Sequence, residues 1–102
     1  FDQAARRRVA IGAGLRRALE RDEFELHYQP KARARDGALA AVEALVRWRS
    51  PADAGRLVPP GEFLPIAEEC GLMPALDRWV LAHAIQDAAA LAAQGIRVPM
   101  AV

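Results

Sequence analysis

The first twenty residues carry a helical pattern of apolar side chains, and residues 24–29 alternate strictly between apolar and polar. Four apolar residues share one face of the first segment: Ile11, Leu15, Ala18 and Leu19. This spacing predicts a helix over about residues 2–21. Apolar and polar residues then alternate from Phe24 to Gln29, which predicts a strand, and Pro30 is expected to end it.

A second strand is predicted directly after a turn. Asp36-Gly37 is a turn signal, and residues 39–48 have an extended pattern. Too few residues separate the two strands for a crossover helix, so we expect an antiparallel hairpin. In the second strand, one face carries Glu43, Leu45 and Arg47, and the opposite face is continuously apolar and expected to lie in the core.

The rest of the chain reads as a loop, two helices and the start of a strand. Residues 50–61 are rich in turn formers, and a short helix is predicted over about residues 62–70, with Pro65 in its first turn and Gly71 after its end. A longer helix is predicted over about residues 74–94, followed by Gly95 and by a strand over residues 96–102. The predicted order is therefore α-β-β-α-α-β, and its second half forms a βαβ unit.

Composition excludes several classes of protein. The 102 residues are more than half apolar, which favours one packed core over disorder. The formal net charge of +1 argues against a dedicated binder of DNA or RNA polymers. Cys70 is the only cysteine, so neither an internal disulfide nor a cysteine-based zinc site is expected. No apolar run is long enough to span a membrane.

The second strand carries the chemistry of most interest. Glu43 and Arg47 lie four residues apart, about 13 Å along a strand, among apolar neighbours. We expect both faces of this strand to be covered, and a buried glutamate needs a partner that offsets its desolvation. The residues alone leave two alternatives, which are an ion pair with Arg47 and a bound metal ion.

Other polar residues are interpreted as structural. His83 lies on the apolar stripe of the long helix and is read as a core or boundary residue, and His27 points outward from its strand. The run of arginines at positions 6–8 is read as a solvated face. Glu68 and Glu69 near a helix end are also expected at the surface, although one of them could have a specific partner.

Three segments in one register resemble EAL-domain cyclic-di-GMP phosphodiesterases. Residues 43–48, Glu-Ala-Leu-Val-Arg-Trp, are similar to the motif that names the family. Residues 24–30 resemble its first strand with its Tyr-Gln-Pro end, and residues 57–72 resemble the following loop and helix. The similarity runs from about Leu15 to Val102.

The resemblance implies a fold and a reaction. Family members form a modified (β/α)8 barrel, a TIM-like α/β fold whose first strand is antiparallel to the rest. They hydrolyse cyclic di-GMP to pGpG with two divalent cations, usually Mg²⁺ or Mn²⁺, which suits an in-line displacement. By this resemblance Glu43 is a metal ligand, Arg47 contacts a substrate phosphate, Gln29 contacts the substrate through its amide, and Leu45 lines the same pocket.

The resemblance also implies that this chain carries only part of the site. A complete barrel of this type needs about 250 residues. The family takes its other metal ligands and its catalytic lysine from later strands, so we interpret the chain as a segment of a longer protein. We expect the 102-residue polypeptide alone to be inactive. A non-catalytic cyclic-di-GMP receptor and a protein-interaction module of degenerate EAL type remain alternatives for the parent protein.

Two organisational expectations complete this interpretation. Residues 1–21 resemble a connector helix that follows a GGDEF domain in many family members, and residues 22–102 are the N-terminal part of the EAL domain. An incomplete barrel leaves unpaired strand edges and bare apolar faces, so we expect self-association. A bacterial, cytoplasmic setting is expected, with no membrane segment in this chain.

Overall fold

The first element of the computed structural model, which describes residues 2–102, is the predicted N-terminal helix. This helix, α1, spans Gln3–Glu20. The Asp2 carboxylate accepts a hydrogen bond of 2.7 Å from the backbone N–H of Ala5, which satisfies one of the free donors at the helix start. Ile11, Leu15 and Ala18 are buried, so the predicted apolar stripe is confirmed.

The predicted hairpin is present and antiparallel. Strands β1 (Phe24–Ala32) and β2 (Leu39–Ser50) are neighbours in the sheet. At the turn, the backbone N–H of Arg33 donates to the carbonyl oxygen of Ala38, and at the open end the N–H of Arg49 donates to the carbonyl oxygen of Glu23. The start of β1 therefore lies beside the end of β2, as in an antiparallel pair. The prediction that Pro30 ends the first strand is wrong, because β1 continues to Ala32. In the strand order β1 lies at the edge of the sheet. A proline such as Pro30 is tolerated on an edge strand, because the N–H that it lacks can be one that would face away from the neighbouring strand.

A short strand was missing from the predicted order. After a 3-10 turn at Pro51–Asp53, strand β3 (Arg56–Val58) pairs antiparallel with the end of β2, so that Trp48 lies opposite Val58. The order is therefore α-β-β-β-α-α-β. Strand β3 has only three residues and is flanked by turn-forming residues, so it is too short to show the apolar–polar alternation by which strands are predicted.

The two later helices and the last strand complete the expected βαβ unit. Helix α2 spans Pro60–Glu69 and starts earlier than predicted, so Pro65 lies inside the helix and not in its first turn. Helix α3 spans Met73–Ala93. Strand β4, confined to Met100–Ala101, pairs parallel with β2, which confirms the βαβ unit but shortens its last strand.

Packing divides the chain into two compact units. The first contains the residues up to Glu25 together with Arg47–Asp77, and the second contains Leu26–Val46 and Arg78–Val102. Three aromatic rings form the centre of the first unit: Phe24, Trp48 and Phe63. The Phe63 ring centroid lies 5.9 Å from each of the other two centroids. These are ordinary spacings for packed aromatic pairs.

The glycine at position 14 has a packing role in this first unit. A Cβ atom placed on Gly14 would lie 3.0 Å from two ring carbons of Trp48, closer than ordinary van der Waals contact. The helix therefore approaches the indole ring at a position where a side chain would not fit. This explains a residue that the helical pattern alone disfavours.

Arginines near the start of α1 attach this helix to the rest of the first unit. Arg7 donates to Glu62 at 2.7 Å through Nε and to Asp53 at 2.8 Å through Nη1. Arg8 pairs with Glu69 of α2. Arg6 and Arg8 are exposed, as the interpretation of this run as a solvated face predicts, whereas Arg7 is only partly exposed and pairs with two carboxylates. Glu69 is the acidic residue that has a specific partner.

The Arg7–Asp53 ion pair gives the stability of the chain an acid-sensitive component. Desolvation alone would raise the pKa of Asp53, but hydrogen bonds from Arg7 and Ser50 hold that pKa below its usual range. The corresponding stabilisation is present above the unfolded pKa of about 3.9 and disappears as the pH falls through the lower folded value.

Replacing Arg7 with Met should therefore lower the free energy of unfolding by about 0.5 kcal/mol at neutral pH. The low figure reflects an Arg7 side chain that is 38% exposed. In urea titrations the gap between variant and parent should close as the pH falls below about 4. Arg16→Met on the same helix is the matched control. A gap that stays constant between pH 7 and pH 3 would contradict this assignment.

Candidate functional site

Strand β2 presents the three predicted site residues at alternate positions. Glu43, Leu45 and Arg47 are all partly exposed, and the Glu43 side chain retains 38% of its accessible surface. The expectation that both faces of β2 are covered is therefore wrong for this face. On the opposite face Ala44 and Trp48 are buried, as predicted. Glu43 thus carries a carboxylate that solvent and solutes can reach.

Lys31 is the partner that the structure gives to Glu43. The Lys31 Nζ lies 3.7 Å from Glu43 Oε1, across neighbouring strands of the hairpin. This separation is within ion-pair range but longer than a hydrogen bond. Sequence reasoning considered Arg47 and a metal ion for this position and missed Lys31. The signal was available, because an antiparallel hairpin with a turn near Asp36-Gly37 brings the end of β1 beside the start of β2.

The Lys31–Glu43 pair places Gln29 on the same face of the sheet as Glu43. Side chains two residues apart on a strand point to the same side, so Gln29 shares the side of Lys31. Gln29 is exposed. The second unit therefore brings together three of the four predicted site residues on one sheet face, namely Gln29, Glu43 and Leu45.

The opposite face of β1 is directed towards α3. The hydroxyl of Tyr28 is hydrogen-bonded to the Asp87 carboxylate on that helix. Desolvation, followed by this hydrogen bond and the charge of Asp87, raises the pKa of Tyr28 well above its usual value, so the phenol stays protonated and donates. Helix α3 thus lies on the side of β1 that carries Tyr28, and the side with Gln29 and Lys31 faces away from it.

Arg47 lies four residues beyond Glu43 on the same strand. It belongs to the first compact unit, whereas the other predicted site residues belong to the second. The alternation of β2 assigns its side chain to the same strand face as Glu43 and Leu45.

Of the two histidines, His83 lies away from this face, whereas His27 is on the same side of β1 as Gln29 and Lys31. The His83 ring stacks on the Trp79 ring with a centroid distance of 3.8 Å, and its Nδ1 lies 2.8 Å from the Trp79 carbonyl oxygen. Both residues are on α3, which agrees with the structural role expected for His83. His27 is exposed on β1, as expected from its place in the alternation.

Within the second unit, a divalent cation would find the Glu43 carboxylate on this face. Glu43 offers hard oxygen atoms of the kind that Mg²⁺ and Mn²⁺ bind, and its exposure allows an ion to approach. Mg²⁺ takes six ligands, so the carboxylate fits as one member of a larger ligand set. Within residues 2–102, no three side chains of His, Cys, Asp or Glu are grouped as a metal site.

Comparisons with known proteins identify relatives of this chain. The sequence model described as the EAL domain matches residues 13–102, starting within α1. Cyclic di-GMP phosphodiesterase PdeR of Escherichia coli K12 is 44% identical over 92 residues, which cover 90% of this chain and 14% of PdeR. The bifunctional diguanylate cyclase/cyclic di-GMP phosphodiesterase MucR of Pseudomonas aeruginosa is 48% identical over 73 residues, covering 72% of this chain and 10% of MucR.

A solved relative supports the fold. The crystal structure of the Xanthomonas citri FimX EAL domain in complex with c-diGMP matches with a TM-score of 0.78 and 33% identity, covering 97% of this chain and 38% of that one. The predicted fold class, part of a TIM-like α/β barrel with an antiparallel first strand, is thereby confirmed. The chain spans only a small part of the curated relatives it matches. Between residues 2 and 102, no helix is both long and apolar enough to cross a membrane.

Proposed function

Because the chain belongs to the EAL-domain family, we propose that it forms part of a domain that hydrolyses cyclic di-GMP to pGpG, with Glu43 as a metal ligand. The observation that carries this proposal is the sheet face on which Gln29, Lys31 and Glu43 lie together. That face bears polar groups which strand packing does not require, and it is open to solvent.

The proposed roles follow from the chemistry of each side chain. The Gln29 amide can both donate to and accept from a nucleotide. The Arg47 guanidinium can bind two oxygens of one phosphate at once. Leu45, between Glu43 and Arg47 on β2, offers an apolar surface against which a base or sugar can pack. These three residues are proposed as substrate contacts.

We propose Mg²⁺ or Mn²⁺ as the cations, with Glu43 holding one of them. When bound, paired divalent ions supply water activation and charge stabilisation for displacement at a phosphodiester. The contribution of this chain is to fix the Glu43 carboxylate on a strand and to position the phosphate through Arg47. A single carboxylate cannot complete two metal sites, so the 102-residue polypeptide by itself is expected to give no turnover.

A transplant into PdeR tests the proposal. The matching segment of PdeR is replaced by this chain, and the purified chimaera is assayed for pGpG release from cyclic di-GMP with Mn²⁺. We expect hydrolysis by the chimaera and none by the 102-residue polypeptide. A folded chimaera that binds cyclic di-GMP without hydrolysing it would favour the receptor alternative. A folded chimaera that does not bind the nucleotide would contradict both readings.

We also propose that the isolated polypeptide self-associates through apolar side chains that remain in water. Leu81 and Ile85, one turn apart on α3, are 50% and 60% exposed. In sedimentation velocity the polypeptide should form dimers or larger species, and Ile85→Lys should shift the distribution towards monomer. Gln86→Lys on the same helix is the matched control. A monodisperse monomer at all concentrations would contradict this prediction.

A further inference from the structure

Lys31 is the residue that pairs with Glu43 across the hairpin. We propose that Lys31 is a stand-in cation, which neutralises the Glu43 carboxylate in the metal-free domain and leaves it when a divalent ion binds. The proposal rests on the proposed function of Glu43, which supplies the metal ligand. It assigns to Lys31 a positioning role that limits how tightly the site binds its ion.

The geometry of the pair supports such a displaceable contact. At 3.7 Å, Lys31 Nζ is near enough to attract the carboxylate but too far for a short hydrogen bond. Lys31 and Glu43 side chains are 53% and 38% exposed, so water can replace either partner. A lysine is a flexible point charge, which can move away without breaking a bidentate contact.

A second ion pair in the same hairpin shows what a fixed contact looks like. Arg49 of β2 donates through Nε to Glu25 of β1 at 2.7 Å, and Arg49 Nη1 also donates to the Gly55 carbonyl oxygen. The two side chains are 52% and 38% exposed, almost the same as in the Lys31–Glu43 pair. At nearly equal exposure, the Lys31–Glu43 contact is the longer of the two, 3.7 Å against 2.7 Å, as expected of a contact that can exchange partners.

The size of the effect follows from the exposure. A solvent-exposed ion pair is weak, so a metal ion that replaces Lys31 loses only about two- to fivefold in affinity. Removal of the charge at position 31 should therefore raise the affinity for the metal ion by the same two- to fivefold. The effect should shrink as ionic strength rises, because salt screens exposed charges.

Paramagnetic broadening by Mn²⁺ measures this effect residue by residue. The experiment uses the PdeR chimaera, which is proposed to supply the other ligands. The segment from this chain is labelled with ¹⁵N, and the broadening of amide signals around Glu43 is followed as Mn²⁺ is added. Lys31→Met should lower the apparent dissociation constant about two- to fivefold. Lys31→Arg keeps the charge and can hold the carboxylate at two points, so it should not lower that constant. Lys31→Gln serves as a second neutral variant should Lys31→Met unfold. Arg35→Met, in the same hairpin connection, is the control for lost net charge.

The outcomes separate this inference from the function on which it rests. If Glu43→Gln removes the broadening and Lys31→Met strengthens it more than Arg35→Met does, the inference is supported. If Glu43→Gln removes it but neither neutral variant at position 31 strengthens binding, or Arg35→Met matches them, Lys31 is not a stand-in cation. If Glu43→Gln leaves the broadening unchanged, the metal assignment of Glu43 falls, and the role of Lys31 falls with it.

Discussion

Replacing Glu43 with Gln should reduce the cyclic di-GMP hydrolysis of the PdeR chimaera by at least about 100-fold. Loss of a group that merely supports a metal ligand costs about 10- to 100-fold in affinity or activity, so loss of a ligand itself should cost at least as much. The substitution keeps the size and polarity of the side chain and removes the charge that the ion needs. The half-exposed position of Glu43 means that folding should be little affected.

Glu25→Gln is the matched control for this experiment. Glu25 has the same exposed fraction as Glu43 and also pairs with a cation on the neighbouring strand, but it lies at the other end of the hairpin. Its replacement should leave hydrolysis within about threefold of the parent, the size of one exposed ion pair. Equal losses for both variants would indicate a structural role for Glu43. A Glu43→Gln chimaera with full activity would exclude it as a metal ligand.

Replacing Phe63 with Ala should lower the free energy of unfolding of the 102-residue chain by about 3–5 kcal/mol. Phe63 is completely buried between the rings of Phe24 and Trp48. Its loss removes apolar burial and leaves a cavity that the neighbouring rings cannot fill. Since small domains are stable by only about 5–15 kcal/mol, much of the folded population should be lost.

Urea denaturation followed by tryptophan fluorescence measures this loss, because Trp48 belongs to the same cluster. Leu57→Ala is the control, since Leu57 is 38% exposed and its truncation should cost under about 1 kcal/mol. Phe63→Leu should fall between the two. If Phe63→Ala and Leu57→Ala unfold at the same urea concentration, the aromatic cluster is not the centre of stability of the first unit.

The sequence pattern was sufficient wherever an element was long and strongly periodic. Helices α1 and α3 begin and end within one residue of their predicted bounds, and the buried side chains of Ile11, Leu15 and Ala18 in α1 lie on the predicted stripe. The antiparallel hairpin followed from a connection too short for a crossover, and the parallel pairing of β2 with β4 followed from the helix between them. Local chemistry and connection length determine these features.

Features that depend on partners distant in sequence could not be predicted in the same way. Strand β3 exists because the end of β2 pairs with it, not because of its own pattern. Pro30 is compatible with β1 because of the place of that strand in the sheet, and the contacts of Arg7 depend on the position of α1. The same limit applies to the site, where the alternation of β2 identified Glu43 but the pairing with Lys31 required the register of the hairpin.

Anomalous scattering from Mn²⁺ shows directly whether the Glu43 carboxylate binds a metal ion. Crystals of the chimaera grown with Mn²⁺ and cyclic di-GMP would be measured near the manganese absorption edge. We expect an anomalous peak about 2.0–2.4 Å from a Glu43 carboxylate oxygen, the usual range for hard divalent cations, and no such peak in the Glu43→Gln variant. Manganese bound elsewhere, with Glu43 still paired to Lys31, would contradict metal binding by Glu43.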